Sequence, residues 1–105
     1  MSEPNLVLLC RQDELAPGEK KQVAGEDGDI CVYNLNGQFY ATSDRCTHGL
    51  SSLSEGEIVD DEIECAMHFG TFHIPTGEPR QAPCSVALKT YEVKIVGDEV
   101  FAVLA

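Results

Sequence analysis

The chain has 105 residues, enough for one domain with a modest core. It carries 7 Lys and Arg against 18 Asp and Glu, a formal net charge of −11. That balance disfavours nucleic acid and anionic lipid as partners and favours basic protein surfaces. Hydrophobic residues make up 43% of the chain, enough to drive folding, yet no apolar run approaches the ~20 residues of a membrane helix. The L-V-L-L-C run at residues 6–10 lacks the basic flank and long apolar core of a signal peptide, so a cytoplasmic location is expected. Five cysteines, an odd number, argue against a complete internal disulfide framework. In a reducing compartment, closely spaced Cys and His read as metal ligands instead.

Taken in order, the chain reads as short β-strands. Residues 6–11 form a first strand, D-E-L-A-P-G a single helical turn closed by Pro-Gly, and residues 21–24 a second strand. I-C-V-Y-N-L at 30–35 is rich in β-formers. Asn36-Gly37 then supplies the positive φ angles of a type I′ turn, and residues 39–42 return. Near the end, T-Y-E-V-K-I at 90–95 alternates, putting Tyr91, Val93 and Ile95 on one face; Gly97-Asp98 turns the chain and residues 100–104 return. Between these hairpins lies a region punctuated by Gly and Pro, about residues 44–84, which holds all three histidines. It reads as a small subdomain inserted into a β-framework. No long helix, internal repeat or linker is apparent.

Two short motifs carry the chemistry: Cys46-Thr47-His48 and Cys65-Ala66-Met67-His68, with residues 49–64 between them. Each pairs a thiol with an imidazole at metal-ligand spacing, so two β-loops can close on one centre. A lone Cys is usually a buried hydrophobe and a lone His a surface or satisfied core residue. Four such residues in two matched motifs are harder to dismiss. Structural zinc also accepts two Cys and two His, and a zinc-stabilised binding module is the alternative of a different class. Common zinc fingers, however, separate the Cys pair from the His pair, whereas each motif here mixes them. Two thiolates and two imidazoles on a sulfide-bridged iron pair make a Rieske-type centre, with potentials of roughly −150 to +300 mV against about −400 mV for plant-type clusters. Neutral imidazoles place less negative charge on their iron, which eases reduction.

The segment C-T-H-G-L-S, followed by E-C-A-M-H-F-G-T-F-H-I-P-T-G-E-P, resembles the Rieske ferredoxin components of bacterial aromatic-ring-hydroxylating dioxygenases. The early D-E-L-x-P-G-E and the terminal hairpin extend the likeness over nearly the whole chain. The resemblance implies an all-β Rieske fold, an antiparallel β-sandwich base with an inserted cluster-binding subdomain, within a single domain spanning 1–105. It implies one 2Fe–2S cluster, with Cys46 and Cys65 on one iron and His48 and His68 on the other. It further implies a one-electron carrier between a flavin-dependent ferredoxin reductase and a terminal oxygenase. Ala66 departs from the Pro often found there, which touches loop stiffness only. The respiratory branch of the family adds a disulfide between its two loops; here those positions are Ser51 and Met67. Its potential-raising Ser and Tyr are replaced by Gly70 and Phe72, so a low potential is expected.

Around this centre, Met67 and Phe69 are expected as apolar cover and residues 79–83 as a stiff third loop. His73 reads as a surface strand residue, and Cys10, Cys31 and Cys84 as buried structural thiols. No nucleophile constellation or phosphate-cradling loop is present, so the chain is expected to be no enzyme by itself and to bind no small-molecule substrate. Another electron-transfer role, such as the small subunit of a nitrite reductase or the donor to a monooxygenase, is the alternative within the same class.

Overall fold

The computed structural model describes residues 6–25, 28–45, 52–65, 70–82 and 86–103. Their strands are β1 (Leu6–Arg11), β2 (Lys20–Val23), β3 (Ile30–Leu35), β4 (Gln38–Ser43), β5 (Glu57–Val59), β6 (Glu62–Glu64), β7 (Thr71–His73), β8 (Pro79–Gln81), β9 (Thr90–Val96) and β10 (Glu99–Val103). A 3-10 turn at Gln12–Glu14 follows β1, and another at Leu53–Glu55 precedes β5. The strands form a six-stranded sheet in the order β1-β10-β9-β4-β3-β2 and a four-stranded sheet in the order β5-β6-β7-β8.

Turn chemistry sets the hairpins. Asn36 and Gly37 adopt φ of 54° and 93°, the left-handed pair that a two-residue turn needs. The Asn34 side chain fixes the same turn: its Oδ1 accepts the Gly37 N–H at 2.7 Å, and its Nδ2 donates to the Leu15 carbonyl at 2.7 Å. Gly97, at φ 60°, turns β9 into β10. Tyr91 and Val93 of the alternating face pack on the core, while Ile95, at the strand's far end, is 46% exposed.

The six-stranded sheet is two halves. β4 and β9 pair only at Ala41↔Tyr91 and Thr42↔Thr90. The halves therefore fold over one another, and one core takes Leu9, Cys10, Val100 and Ala102 from the first half and Ile30, Val32, Phe39 and Ala41 from the second. This is the sandwich base. The four-stranded sheet, lying in the chain between β4 and β9, packs on the base's other side. There Cys31 and Tyr33 of β3 join Leu53, Ile63, Cys65, Phe72, Ile74 and Leu88. Strand β3 is thus buried on both faces, which is why residues 30–33 read as an unbroken apolar run rather than an alternation.

One expectation is corrected here. Residues 79–81 are not loop but strand: β8 is the sheet's edge and pairs with β7 through Phe72↔Pro79 and Thr71↔Gln81. Proline is tolerated there because it opens an edge strand, where its missing N–H interrupts no inner ladder. Residues 83–84, expected as the rest of that loop and a structural thiol, lie outside the described residues.

Candidate metal centre

Of the four residues singled out as ligands, Cys65 is described; Cys46, His48 and His68 lie outside the described residues, as do Met67 and Phe69. Cys65 follows β6 directly and is fully buried. Its N–H donates to the Gly70 carbonyl at 2.8 Å, so the chain is closed at the base of residues 66–69. The side chains that share its core are apolar apart from the Tyr33 hydroxyl and the Cys31 thiol.

The base of the other motif is closed in the same manner. Arg45 and Ser52 form an antiparallel bridge across residues 46–51. Just inside it, the Leu53 N–H donates to the Asp44 carbonyl at 2.6 Å and the Ser54 N–H donates to Asp44 Oδ1 at 2.8 Å. Two contacts bring the two bases together. Leu53 and Cys65 lie in one core, and Gly56 runs so close to Glu64 that a Cβ on Gly56 would collide with the Glu64 carbonyl oxygen. A third approach comes from Gln81, which lies opposite Thr71. The Arg45–Ser52 bridge, the Cys65–Gly70 bond and Gln81 thus mark the described ends of the chain around residues 46–51, 66–69 and 83–85.

The residues present suit an iron–sulfur group. A thiolate buried as deeply as Cys65 needs a cation to meet its charge, and a metal does so while deprotonating the thiol outright. The apolar surroundings would keep such a site dry. The remaining described thiols behave differently. Burial, opposed in part by the Tyr33 hydroxyl, pushes the Cys31 thiol up to about 12. Burial also raises Cys10, against a lowering influence from Lys21. Both are buried protonated thiols, as the sequence suggested.

His73 differs somewhat from expectation. It lies on β7, but its side chain is only 16% exposed and both ring nitrogens are engaged. Nε2 is 2.9 Å from Asp61 Oδ2 and Nδ1 is 2.7 Å from Thr76 Oγ1. These bonds tie the two turns at one end of the inserted sheet. Asp44 corrects the sequence reading: together with Glu55, Glu57, Glu64 and Glu78 it reads as an acid flanking the motifs and available to steer a basic partner, but it is 1% exposed and so takes no part in such a surface. Only the spatial convergence of residues 22, 29, 53 and 54 on it reveals its place.

Comparisons with known proteins agree with this geometry. A sequence model of the Rieske [2Fe-2S] domain matches residues 5–92. The biphenyl dioxygenase ferredoxin subunit of Pseudomonas sp. strain KKS102 is 42% identical over 92 residues, covering 87% of this chain and 84% of that protein. In a solved complex of reduced oxygenase and oxidized ferredoxin of carbazole 1,9a-dioxygenase, one chain superposes with a TM-score of 0.90 at 39% identity, covering 93% of this chain and 92% of that one. The Sphingomonas yanoikuyae B1 ferredoxin superposes with a TM-score of 0.91 at 34% identity, covering 96% of this chain and 100% of that one. The described residues hold no helix long and apolar enough to cross a membrane. An all-β sandwich with an inserted sheet, two Cys/His motifs in the sequence whose described flanks are paired, and a match along most of its length make this chain a member of the Rieske [2Fe-2S] family, whose group is one Rieske-type 2Fe–2S cluster.

Proposed function

We propose that this chain carries single electrons from a flavin-dependent ferredoxin reductase to the terminal oxygenase of an aromatic-ring-hydroxylating dioxygenase system. Cys46, His48, Cys65 and His68 hold the cluster, within a subdomain of about residues 44–84 of a single domain. The observation that carries the reading is the pair of closed bases, Arg45–Ser52 and Cys65–Gly70, meeting over one apolar core. The bound cluster supplies the one-electron couple. Cys65 anchors it in the core, and the paired bases hold the ligand-bearing stretches in fixed relation, which limits movement when charge changes.

The relatives' roles as ferredoxin components, and the similarity to a ferredoxin solved with its oxygenase, support the oxygenase as partner over a nitrite reductase or a monooxygenase. The charge supports basic protein partners. Glu55, Glu57 and Glu78 are exposed on the inserted sheet and its turns, and Glu64 is half-buried beside Cys65. The protein is a carrier and not an enzyme, acts in the cytoplasm, and has no small-molecule substrate of its own. With Gly70 and Phe72 where hydroxyl donors would raise it, the midpoint lies near the low end of the Rieske range, on the order of −150 mV.

Metal and sulfide analysis of anaerobically purified protein tests the centre: two irons and two labile sulfides per chain are expected, with a Rieske-type electron paramagnetic resonance spectrum after reduction. One zinc and no sulfide would overturn the reading. His48→Ala or His68→Ala should abolish or convert the spectrum. Stopped-flow oxidation of the reduced protein by a terminal oxygenase tests the carrier role, and failure to reoxidise would reject it.

A further inference from the structure

An aspartate is rarely buried unless its charge is met. Asp44 is 1% exposed, and it forms no ion pair with any described residue. Hydrogen bonds from three directions meet it instead. Oδ2 accepts Gln22 Nε2 of β2 at 2.7 Å. Oδ1 accepts the Ser54 N–H at 2.8 Å, and the backbone carbonyl accepts the Leu53 N–H at 2.6 Å. Its own N–H donates to the Asp29 carbonyl at 2.9 Å, just ahead of β3. Gln22 Nε2 also reaches Asp29 Oδ2 at 3.1 Å, so the amide is held between two carboxylates.

These bonds have a clear logic. Leu53 and Ser54 open the 3-10 turn Leu53–Glu55, whose first N–H groups have no partner within the turn. Ser52 stands at the capping position, yet its side chain makes no cap hydrogen bond. Asp44 does the capping from across residues 46–51. One residue therefore joins the start of that stretch to its end and ties both to β2 and to the residue before β3 in the base. Bonds from N–H donors to a carboxylate are about twice as strong as neutral ones, and they are stronger still away from water.

We propose that Asp44 is a positioning residue for the cluster. By fixing Ser54 relative to β4, its carboxylate sets where Cys46 and His48 meet Cys65 and His68. This rests on the ligand assignment proposed above. The role is specific to acceptor geometry. Asparagine keeps an Oδ1 for the Ser54 N–H but turns an N–H₂ donor toward the donor of Gln22; alanine removes both acceptors.

The experiment compares the whole protein with D44N, D44A and Val100→Ala. Val100 is fully buried in the base core, away from the inserted sheet, and its truncation destabilises the fold without touching Asp44's bonds. Readouts are the g-values of the reduced cluster, the midpoint potential, and the rate of iron release to a chelator. Loss of both carboxylate hydrogen bonds should speed iron release by about ten-fold or more in D44A. D44N should stay folded, with displaced g-values and a midpoint moved upward, because a buried negative charge has been removed. Val100→Ala should lower Tm and leave g-values and midpoint in place. If D44A does not fold, D44N carries the test. Both Asp44 variants retaining the parent's g-values and iron-release rate would overturn the inference alone, as would Val100→Ala displacing the g-values equally. A parent protein without a Rieske spectrum would overturn the ligand assignment and the inference together.

Discussion

Gly56→Ala probes the contact that holds the two motif bases together. Gly56 sits between the 3-10 turn and β5 with an ordinary φ of −83°, so alanine meets no backbone strain of its own. The obstacle is space. An added Cβ would collide with the Glu64 carbonyl oxygen, lie 3.0 Å from the Glu64 carbonyl carbon and 3.3 Å from the Leu53 carbonyl oxygen. All three are backbone atoms, so no side chain can swing aside; β5 must separate from β6 at Glu57↔Glu64, next to Cys65. Overpacking of this kind costs about 1–3 kcal/mol. For a chain of this size that corresponds to a fall in Tm of about 5–20 °C. Because the shift falls beside Cys65, iron content on purification should drop as well. The control is Gly97→Asn: Gly97 has φ +60° and nothing within 4 Å of an added Cβ. Asparagine accepts that conformation, so Tm should stay within about 2 °C. Thermal scans with iron analysis decide the matter. A Gly56→Ala protein with the parent's Tm and iron content would refute the close approach of the two bases.

Other expectations follow from single residues. Phe72 is fully buried in the core that holds Cys65, so in Phe72→Tyr a hydroxyl reaching cysteine sulfur should raise the midpoint by roughly 40 mV per 1 kcal/mol of differential bonding; voltammetry showing no shift, with Tm reduced, would mean the hydroxyl is buried unpaired. Thr71 Oγ1 is buried without a hydrogen-bond partner, the only such side-chain atom among the described residues, and Thr71 pairs with Glu64, on the face opposite Cys65. Thr71→Val should therefore match or exceed the parent's stability, by up to about 1–3 kcal/mol in denaturant titration, and leave the midpoint unmoved. Cys31, raised from 9.0 to about 12, keeps its proton in the fold where the unfolded chain would lose it. Its contribution is intact below pH 9 and is lost as pH climbs through 12, with a slope of about 1.4 kcal/mol per pH unit. Alkaline unfolding of Cys31→Ala should be shallower by up to one proton.

The legible parts of the fold are those with chemistry at fixed local spacing. Strand β1, β3 and the Asn36-Gly37 turn stand where composition and turn residues put them, because each is specified by its own neighbours. Of the inserted strands, only β7 showed in the sequence, through the alternation around His73; β5, β6 and β8 did not. Those three have three residues each, too few for a period to show, and the inserted strands exist through packing: Ile63, Phe72 and Ile74 cover the outer face of β3. Pro79 made the point harder, since a proline reads as a break until its strand is known to be an edge. At the site, the two motifs and their residue types were plain from sequence, and the structure adds the closed base beneath each. Asp44 was illegible because its meaning lies in residues 22, 29, 53 and 54, which no sequence spacing connects to it. His73 was half-legible: alternation placed it outward, but its bond to Asp61 depends on the β6–β7 register, which sets Glu62 opposite it.

Strand β3 explains why so short a chain can hold a rigid centre. Its alternate side chains serve two cores: Ile30 and Val32 the sandwich, Cys31 and Tyr33 the inserted sheet. The inserted sheet therefore cannot slide or tilt without disturbing the base, although its strands are too short to be stable alone. The polar groups of β3 are settled on the same principle, with the Tyr33 hydroxyl 2.8 Å from Thr42 Oγ1 on β4. Charge is distributed to match. Over residues 52–82 the acids are Glu55, Glu57, Asp60, Asp61, Glu62, Glu64 and Glu78, and the only Lys or Arg is Arg80. None of these acids is buried, so all can contribute to the field that a basic partner meets. Asp44, beside the first motif, contributes through hydrogen bonds instead: its two oxygens face Gln22 and Ser54 in the interior. On the roles proposed above, the acids available to a partner and the acid that positions the ligand stretch are separate residues. Surface charge can vary from one partner to another without loosening the cluster, provided that Asp44, Gly56 and the Cys65–Gly70 bond are kept.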